Sequence, residues 1–507
     1  MKMKKVLILA LLGFSTLSSL LSTGFAQGGL TPPAPPGPTM LTLSQVEPRI
    51  PISSAGYIIG SSGSYYLTTN LTVTSGDGID INASGVTLDL NGFTISTTAA
   101  AGYGIGLGVG AGAPILTDIT IANGHITGGV TYNGSTYSGS GFGNGIAPEG
   151  LGVFNVRVSG VSVSGCQAGG IALSGGNSTV VESCVVNTVG PELGYGIVAS
   201  FVSHSTALQC QGDAIDADNA TDCFGSSSEG VGVNVNDTAN NCSGYSASND
   251  GLIADTANNC LGYSGGSYLG LFVYMANNSF GSSDSGDGIY CDAGTLTGCT
   301  ANNCGGDGIY CDLGGTFTGC TANNCGGDGI HCDSATVTVT GCTADGNRGV
   351  GIDCSAGGSV TGCTANGNSI DGIDCDGGTV TGCTADNNFL SGISLLGPGT
   401  VSRCTLEHNI QLGVYVTSSG CEINGNNCSS NNIGIYITGF NNRVEDNQLA
   451  ANASAGIQLS GTNNIVIKNS VIGIHGNGDN ILGTNYNDVG PPGTTANVTS
   501  PWGNISH

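Results

Sequence analysis

Short runs of alternating apolar and polar residues dominate this chain of 507 residues. In GIYCD, Ile289 and Cys291 fall on one side of an extended strand, and Tyr290 and Asp292 fall on the other. TFTGCTA (Thr316 to Ala322) alternates in the same way, with Gly319 interrupting it. Each run ends at Gly or Asn, residues that turn a chain, and none carries the apolar spacing of a helix. Gly, Thr, Val, Asn and Asp are poor helix formers, so the pattern predicts short strands joined by tight turns.

The runs recur. An x-Gly-aliphatic tripeptide is centred on Gly232, Gly251, Gly270, Gly288, Gly308, Gly329, Gly351, Gly372, Gly392, Gly413, Gly434 and Gly456, in steps of 18 to 22 residues. Gly78, Gly104, Gly145, Gly170, Gly196 and Ala214 continue the series upstream with longer insertions. A fixed period of this size signals a solenoid. Leucines are too few for leucine-rich repeats. A coil of about 20 residues with two or three strands is one rung of a parallel β-helix, whose rungs stack about 4.8 Å apart. One rung cannot bury a core alone, so it stacks on a copy of itself.

Stacking places equivalent residues over one another. Asn302, Asn323, Asn366 and Asn387 are expected at a recurring turn, their amides forming a ladder. Cys291, Cys311, Cys332, Cys354 and Cys375 make one file, and Cys299, Cys320, Cys342, Cys363 and Cys383 another. These read as small buried hydrophobes. Rung spacing sets in-register Cβ atoms about 4.8 Å apart, beyond the usual disulfide separation, and no CxxC zinc motif occurs.

The ends read differently. Residues 1–26 have three lysines, an apolar run and a Gly24-Phe25-Ala26 cleavage site, the pattern of a signal peptide cut near Ala26. Residues 27–39 form a Pro/Gly-rich linker, 40–76 an N-terminal capping module, 77–475 the repeats and 476–507 a C-terminal tail or cap. No later apolar run is long enough for a membrane helix. The expectation is a secreted, extracellular or periplasmic protein without a membrane span.

Charge narrows the partners. Charged residues make up 9% of the chain, and six basic residues face 35 acidic ones after the signal, a net charge of −29. Such a surface repels nucleic acid, anionic membrane and polyanionic glycan unless a cation intervenes. The chain has 21 cysteines, an odd number that leaves at least one thiol unpaired.

The x-Gly-Ile rungs with Asn turns resemble the right-handed parallel β-helix proteins of the pectate-lyase-like superfamily. GSYYLTTNLTV (Gly63 to Val73), DGIDINASGVTLDLNGFTI (Asp77 to Ile95) and the closing SPWGNISH are similar to secreted bacterial members. The resemblance spans nearly all of the chain after the signal and implies an all-β, right-handed parallel β-helix with an active groove on one strand face. The chemistry of its members does not transfer. The paired-Asp, Gly-His-Gly and Arg-Ile-Lys motifs of polygalacturonase-like members are missing. Pectate-lyase-like members use an Arg or Lys base beside Ca²⁺, for which Arg348, at the turn before the Asp353 rung, is the best placed residue.

The outward residues of the x-Gly-aliphatic strands form a strip that is acidic in the middle and aromatic at its flanks. Tyr274, Tyr290, Tyr310, Tyr415 and Tyr436 are candidate sugar-binding residues. Asp353, Asp374, Asp333, His331 and Arg348 are candidate catalytic residues, and Asp292, Asp312, Asp333 and Asp376 candidate Ca²⁺ ligands. Asp353 and Asp374 lie one rung apart, a spacing compatible with retaining or inverting glycosidases. Solubility alone also explains exposed Asp, although stacked like charges are costly. A second face stacks T-x-T over six rungs, from Thr295/Thr297 to Thr400/Ser402, and resembles ice-binding solenoids. The resulting reading is a secreted β-helix that binds an extracellular polysaccharide, with cleavage by a lyase or hydrolase mechanism left open. A noncatalytic structural or adhesive surface protein is the alternative, and ice binding a minor one.

Overall fold

The computed structural model describes residues 47–108, 115–149, 152–174, 178–192, 194–472, 481–482, 486–488 and 503–506. The expected signal peptide and linker, and most of the tail, lie outside the described residues. Among these residues every regular element is a strand, and no helix is long and apolar enough to cross a membrane. The chain winds as a parallel β-helix with three strand faces per coil.

The first face carries the x-Gly-aliphatic strands. One aliphatic residue per coil is in register with the next without a gap from Ile79 through Ile289, Ile330 and Ile373 to Ile481. All of these residues are buried. Burying such a side chain contributes about 1.5–3 kcal/mol per coil. The preceding glycine is demanded by close approach. A Cβ on Gly329 would stand 2.5 Å from both the Gly351 carbonyl oxygen and Asn347 Nδ2.

The second face carries the T-x-T strands. Thr295, Thr316, Thr338, Ser359, Thr379 and Thr400 stack in register around buried Leu296, Phe317, Val339, Val360, Val380 and Val401. The third face carries the T-A-x strands, such as Thr300–Asn302 on Thr321–Asn323.

Residues 50–72, expected as part of a cap, already form coils in register with those that follow. Ile50 pairs with Tyr65, Tyr65 with Leu88, and Tyr57 with Ile79.

The asparagine ladder exists, but most of it runs one file over from its expected place. One buried ladder is Asn347, Asn368, Asn388, Asn409, Asn431 and Asn452, and a second is Asn426, Asn447, Asn469 and Asn504. Asn388 Oδ1 accepts from the Asn368 backbone N–H (2.9 Å) and Asn368 Nδ2 (3.1 Å), while Asn388 Nδ2 donates to the Ala365 carbonyl (3.0 Å). Asn302, Asn323 and Asn366 instead accept only from the next coil's backbone, in a mixed file with Asp345 and Asp386. Asn387 is exposed and sits at φ 60°, at the turn itself.

All 21 cysteines are buried free thiols. Cys320, Cys342, Cys363 and Cys383 stack with each backbone N–H 3.3–3.4 Å from the next sulfur. Cys325 and Cys404 occupy positions that Asn347 and Asn426 take in the following coils. Cysteine therefore substitutes for the ladder asparagines in the lower coils.

Candidate functional site on the first face

The outward file of the first face runs Phe272, Tyr290, Tyr310, His331, Asp353, Asp374, Ser394, Tyr415, Tyr436 and Gln458, each in register with the next. The predicted strip is thus one continuous column. Tyr274 lies outside that file, edge-on to Phe272 with ring centroids 6.4 Å apart.

The aromatic rings cover one another. Phe272 and Tyr290 stack at 5.1 Å and 7°, and Tyr415 and Tyr436 at 5.7 Å and 18°. Tyr290 tilts against Tyr310, which meets His331 edge to face. Ring faces inside a stack are occupied, so a sugar can reach edges and hydroxyls along the column and a ring face only where the stack ends.

His331 is held by acids. Its Nδ1 lies 3.0 Å from Asp307 Oδ2 and 3.6 Å from Asp328 Oδ2, and its Nε2 lies 3.1 Å from Asp333 Oδ1. The hydrogen bond to Asp307 raises its pKa to about 9 against the opposing effect of burial, with Asp353 and Asp328 adding to the rise. At neutral pH it is an imidazolium, and a protonated ring has no lone pair for a metal or for general-base work.

Asp307 and Asp328 were not among the sequence candidates. They belong to the D-G-I element that precedes several first-face strands. Asp287, Asp307, Asp328 and Asp371 each use Oδ1 to accept the backbone N–H one coil on, at 2.6–2.7 Å. The signal was available in the recurring DGIYC, DGIHC and DGIDC. Burial, offset by the Val350 N–H, raises Asp328 to about 6.

Asp307, Asp328 and His331 each offer an atom within 4.8 Å of the others, a spacing a metal ion would accept. His331 and Asp307 already engage each other through a hydrogen bond, while Asp328 Oδ2 stands 3.6 Å from the ring. Among the described residues, Asp292, Asp312, Asp333 and Asp376 do not converge into a group of three ligands. Asp333 instead accepts the Tyr310 hydroxyl at 2.7 Å.

Asp353 and Asp374 are in register on adjacent coils. Asp353 Oδ1 accepts the Ser355 N–H at 2.8 Å, and burial raises its pKa against the lowering effect of His331. Asp374 is raised to about 7, by burial first and then by the charges of Asp353 and Asp371. Its Oδ1 is buried without a hydrogen-bond partner. Arg348 is exposed at the corner, and its side chain makes no ion pair with these acids among the described residues.

Ser394 breaks the column. It is small and buried between Asp374 below and Tyr415 above, and it leaves an open notch of about 400 Å³. Asp371 and Asp374 line one side, Tyr415 and Tyr436 the other, and Leu390, Leu412 and Leu396 the flanks. Two rung spacings, about 9.6 Å, separate the Asp374 and Tyr415 backbones. Sequence reading missed the notch because it is made by the absence of bulk at one position.

The described family "right handed beta helix region" matches residues 229–390 and 373–490, and the chain belongs to it. No curated protein matches the sequence. Among solved structures, the chain is similar to the Azotobacter vinelandii mannuronan C-5 epimerase AlgE4 A-module, with 14% identity, TM-score 0.28, and coverage of 84% of this chain and 90% of that one. It is also similar to the Siphovirus 9NA tailspike receptor binding domain, with 9% identity, TM-score 0.23, and coverage of 85% and 75%. A third is PfbA, a surface adhesin of Streptococcus pneumoniae, with 13% identity, TM-score 0.14, and coverage of 80% and 84%.

Proposed function

We propose that this protein is exported and binds an extracellular polysaccharide along the first face, from Phe272 to Tyr436. The observation that carries the proposal is the in-register column of aromatic and acidic side chains, interrupted at Ser394 by an open notch. A repeating polymer laid along the axis meets a repeating set of tyrosine hydroxyls, ring edges and carboxyls. The surface is too acidic for a free polyanion, so the ligand is not anionic or is bridged by Ca²⁺ through Asp292, Asp312, Asp333 or Asp376.

Cleavage is the finer reading. Asp374, protonated near neutrality, is the candidate acid, with Asp353 as its carboxylate partner; Arg348 is the candidate base for a lyase. The test is incubation with neutral, cationic and acidic polysaccharides, with and without Ca²⁺, following new reducing ends and unsaturated products together. Reducing ends alone mean hydrolysis, and both signals dependent on Ca²⁺ mean a lyase. Binding without products means an adhesive or structural protein. Absence of binding to every polysaccharide refutes the proposal. The in-register hydroxyl array of the second face favours a second reading, ice binding, which thermal hysteresis tests directly.

A further inference from the structure

The notch at Ser394 has a chemistry distinct from the rest of the column. One wall is two carboxyls, Asp371 and Asp374, and no Lys or Arg is among its lining residues. The opposite wall begins with Tyr415. Tyr436 covers the far face of that ring, and Ser394 is too small to cover the near one. This is where the upper aromatic stack ends and presents a ring face. Asp374 Oδ1 is also buried without a partner beside Asp353 and Asp371. Bringing a ligand into the notch removes more water from these carboxyls.

Each ligand class meets that arrangement differently. An anionic sugar adds a further like charge. A neutral sugar strips water from the carboxyls and returns no charge. A hydrated Ca²⁺ gains nothing from a tyrosine face and three leucines. A protonated amine pairs with carboxylates and is attracted to the π face of Tyr415, while the sugar carbons pack on the leucines. On the reading that the first face binds a polysaccharide, we propose that the Ser394 notch is a subsite for the protonated amine of an amino sugar, making the ligand a polycationic glycan of the glucosamine type.

The experiment is calorimetric titration of the full chain with a β-linked glucosamine trisaccharide, its N-acetylated form and a galacturonate trisaccharide. The buffer is at pH 7, where Asp374, raised to about 7, is substantially ionised and free to pair with the amine, in 0.15 M salt, which damps general attraction to the acidic surface. The glucosamine trisaccharide is expected to bind at least about tenfold more tightly than the N-acetylated form, the scale of one charged hydrogen bond. Asp374→Asn should remove that preference. Ser394→Tyr, which extends the Tyr415 stack by one rung into the notch, should abolish binding at the notch. A linear polyamine of equal charge, attracted by net charge alone, should bind the wild type and Ser394→Tyr equally. A cooperative melting transition establishes that each variant folds; if Ser394→Tyr shows none, Ser394→Leu fills the same space.

Equal affinity for the free-amine and acetylated sugars overturns the proposal, as does unchanged glucosamine binding in the filled-notch variant. Displacement of the glucosamine sugar by millimolar Ca²⁺ at the same residues also overturns it, in favour of a calcium site. If neutral sugars bind and lose affinity in Tyr290→Ala/Tyr310→Ala, the polysaccharide reading stands while the amine subsite falls. If no saccharide of any charge binds, both fall.

Discussion

Replacing Asp374 with Asn should make the protein less sensitive to alkali. Asp374 titrates near 7 in the fold, against an ordinary value of 3.8. The folded state therefore holds this proton more tightly than the unfolded chain does. Below about pH 4 both states are protonated and the full stability is present. As pH rises from about 4 to about 7 the unfolded chain releases its proton first, and stability is lost; above that window the loss is complete. A gap of about three pH units corresponds to about 4 kcal/mol. The side chain is only partly buried, so solvent screening reduces this to about 2 kcal/mol.

Asn keeps the shape and has no carboxylate to bury. Urea unfolding of both proteins at pH 4.5 and pH 8 measures the difference. The wild type should lose about 2 kcal/mol more than Asp374→Asn across that interval. Asp328, Asp353 and Asp371 are also raised, but they titrate in both proteins and largely cancel in the comparison. A wild-type and variant difference that stays constant within about 0.5 kcal/mol at the two pH values would show that Asp374 has an ordinary pKa, and its candidacy as a proton donor would fall with it.

Asn388→Ala removes one rung of the buried amide ladder, leaving the Asn368 N–H and Ala365 carbonyl short of a partner; it should cost about 3 kcal/mol or more in urea, and a loss under about 1 kcal/mol would mean the ladder adds little. The 21 buried thiols should be silent to a thiol reagent in the native protein and all react after denaturation; a fast-reacting native fraction contradicts their burial. His331→Gln removes the only cation among Asp307, Asp328, Asp333 and Asp353, so it should lower stability most near pH 6, where folded and unfolded chains both carry the imidazolium, progressively less from about pH 6.5 to 9, and least above about pH 9; equal effects at pH 6 and above pH 9 would refute the charge assignment.

The repeat was legible because each coil solves the same packing problem with the same letters. Ile289, Ile309, Ile330 and Ile352 recur at the rung period, and the glycine before each is required by the neighbouring backbone, so period, strand type and inward files could be read from the order of residues. Alternation also placed Asp353, Asp374 and the tyrosine column on one outward face. It could not say which asparagine file turns inward, because a one-residue step at a corner decides between Asn387, left at the exposed turn, and Asn388, buried in the ladder. Nor could it find that His331 is caged by Asp307 and Asp328, since the Asp307 contact crosses from the coil below and the Asp328 contact depends on how the D-G-I corner folds back on its own strand. The ring faces of the tyrosines and the notch over Ser394 were likewise decided only by stacking. Strand period is a local property of the chain, whereas a gap in a column exists only relative to the side chains above and below it.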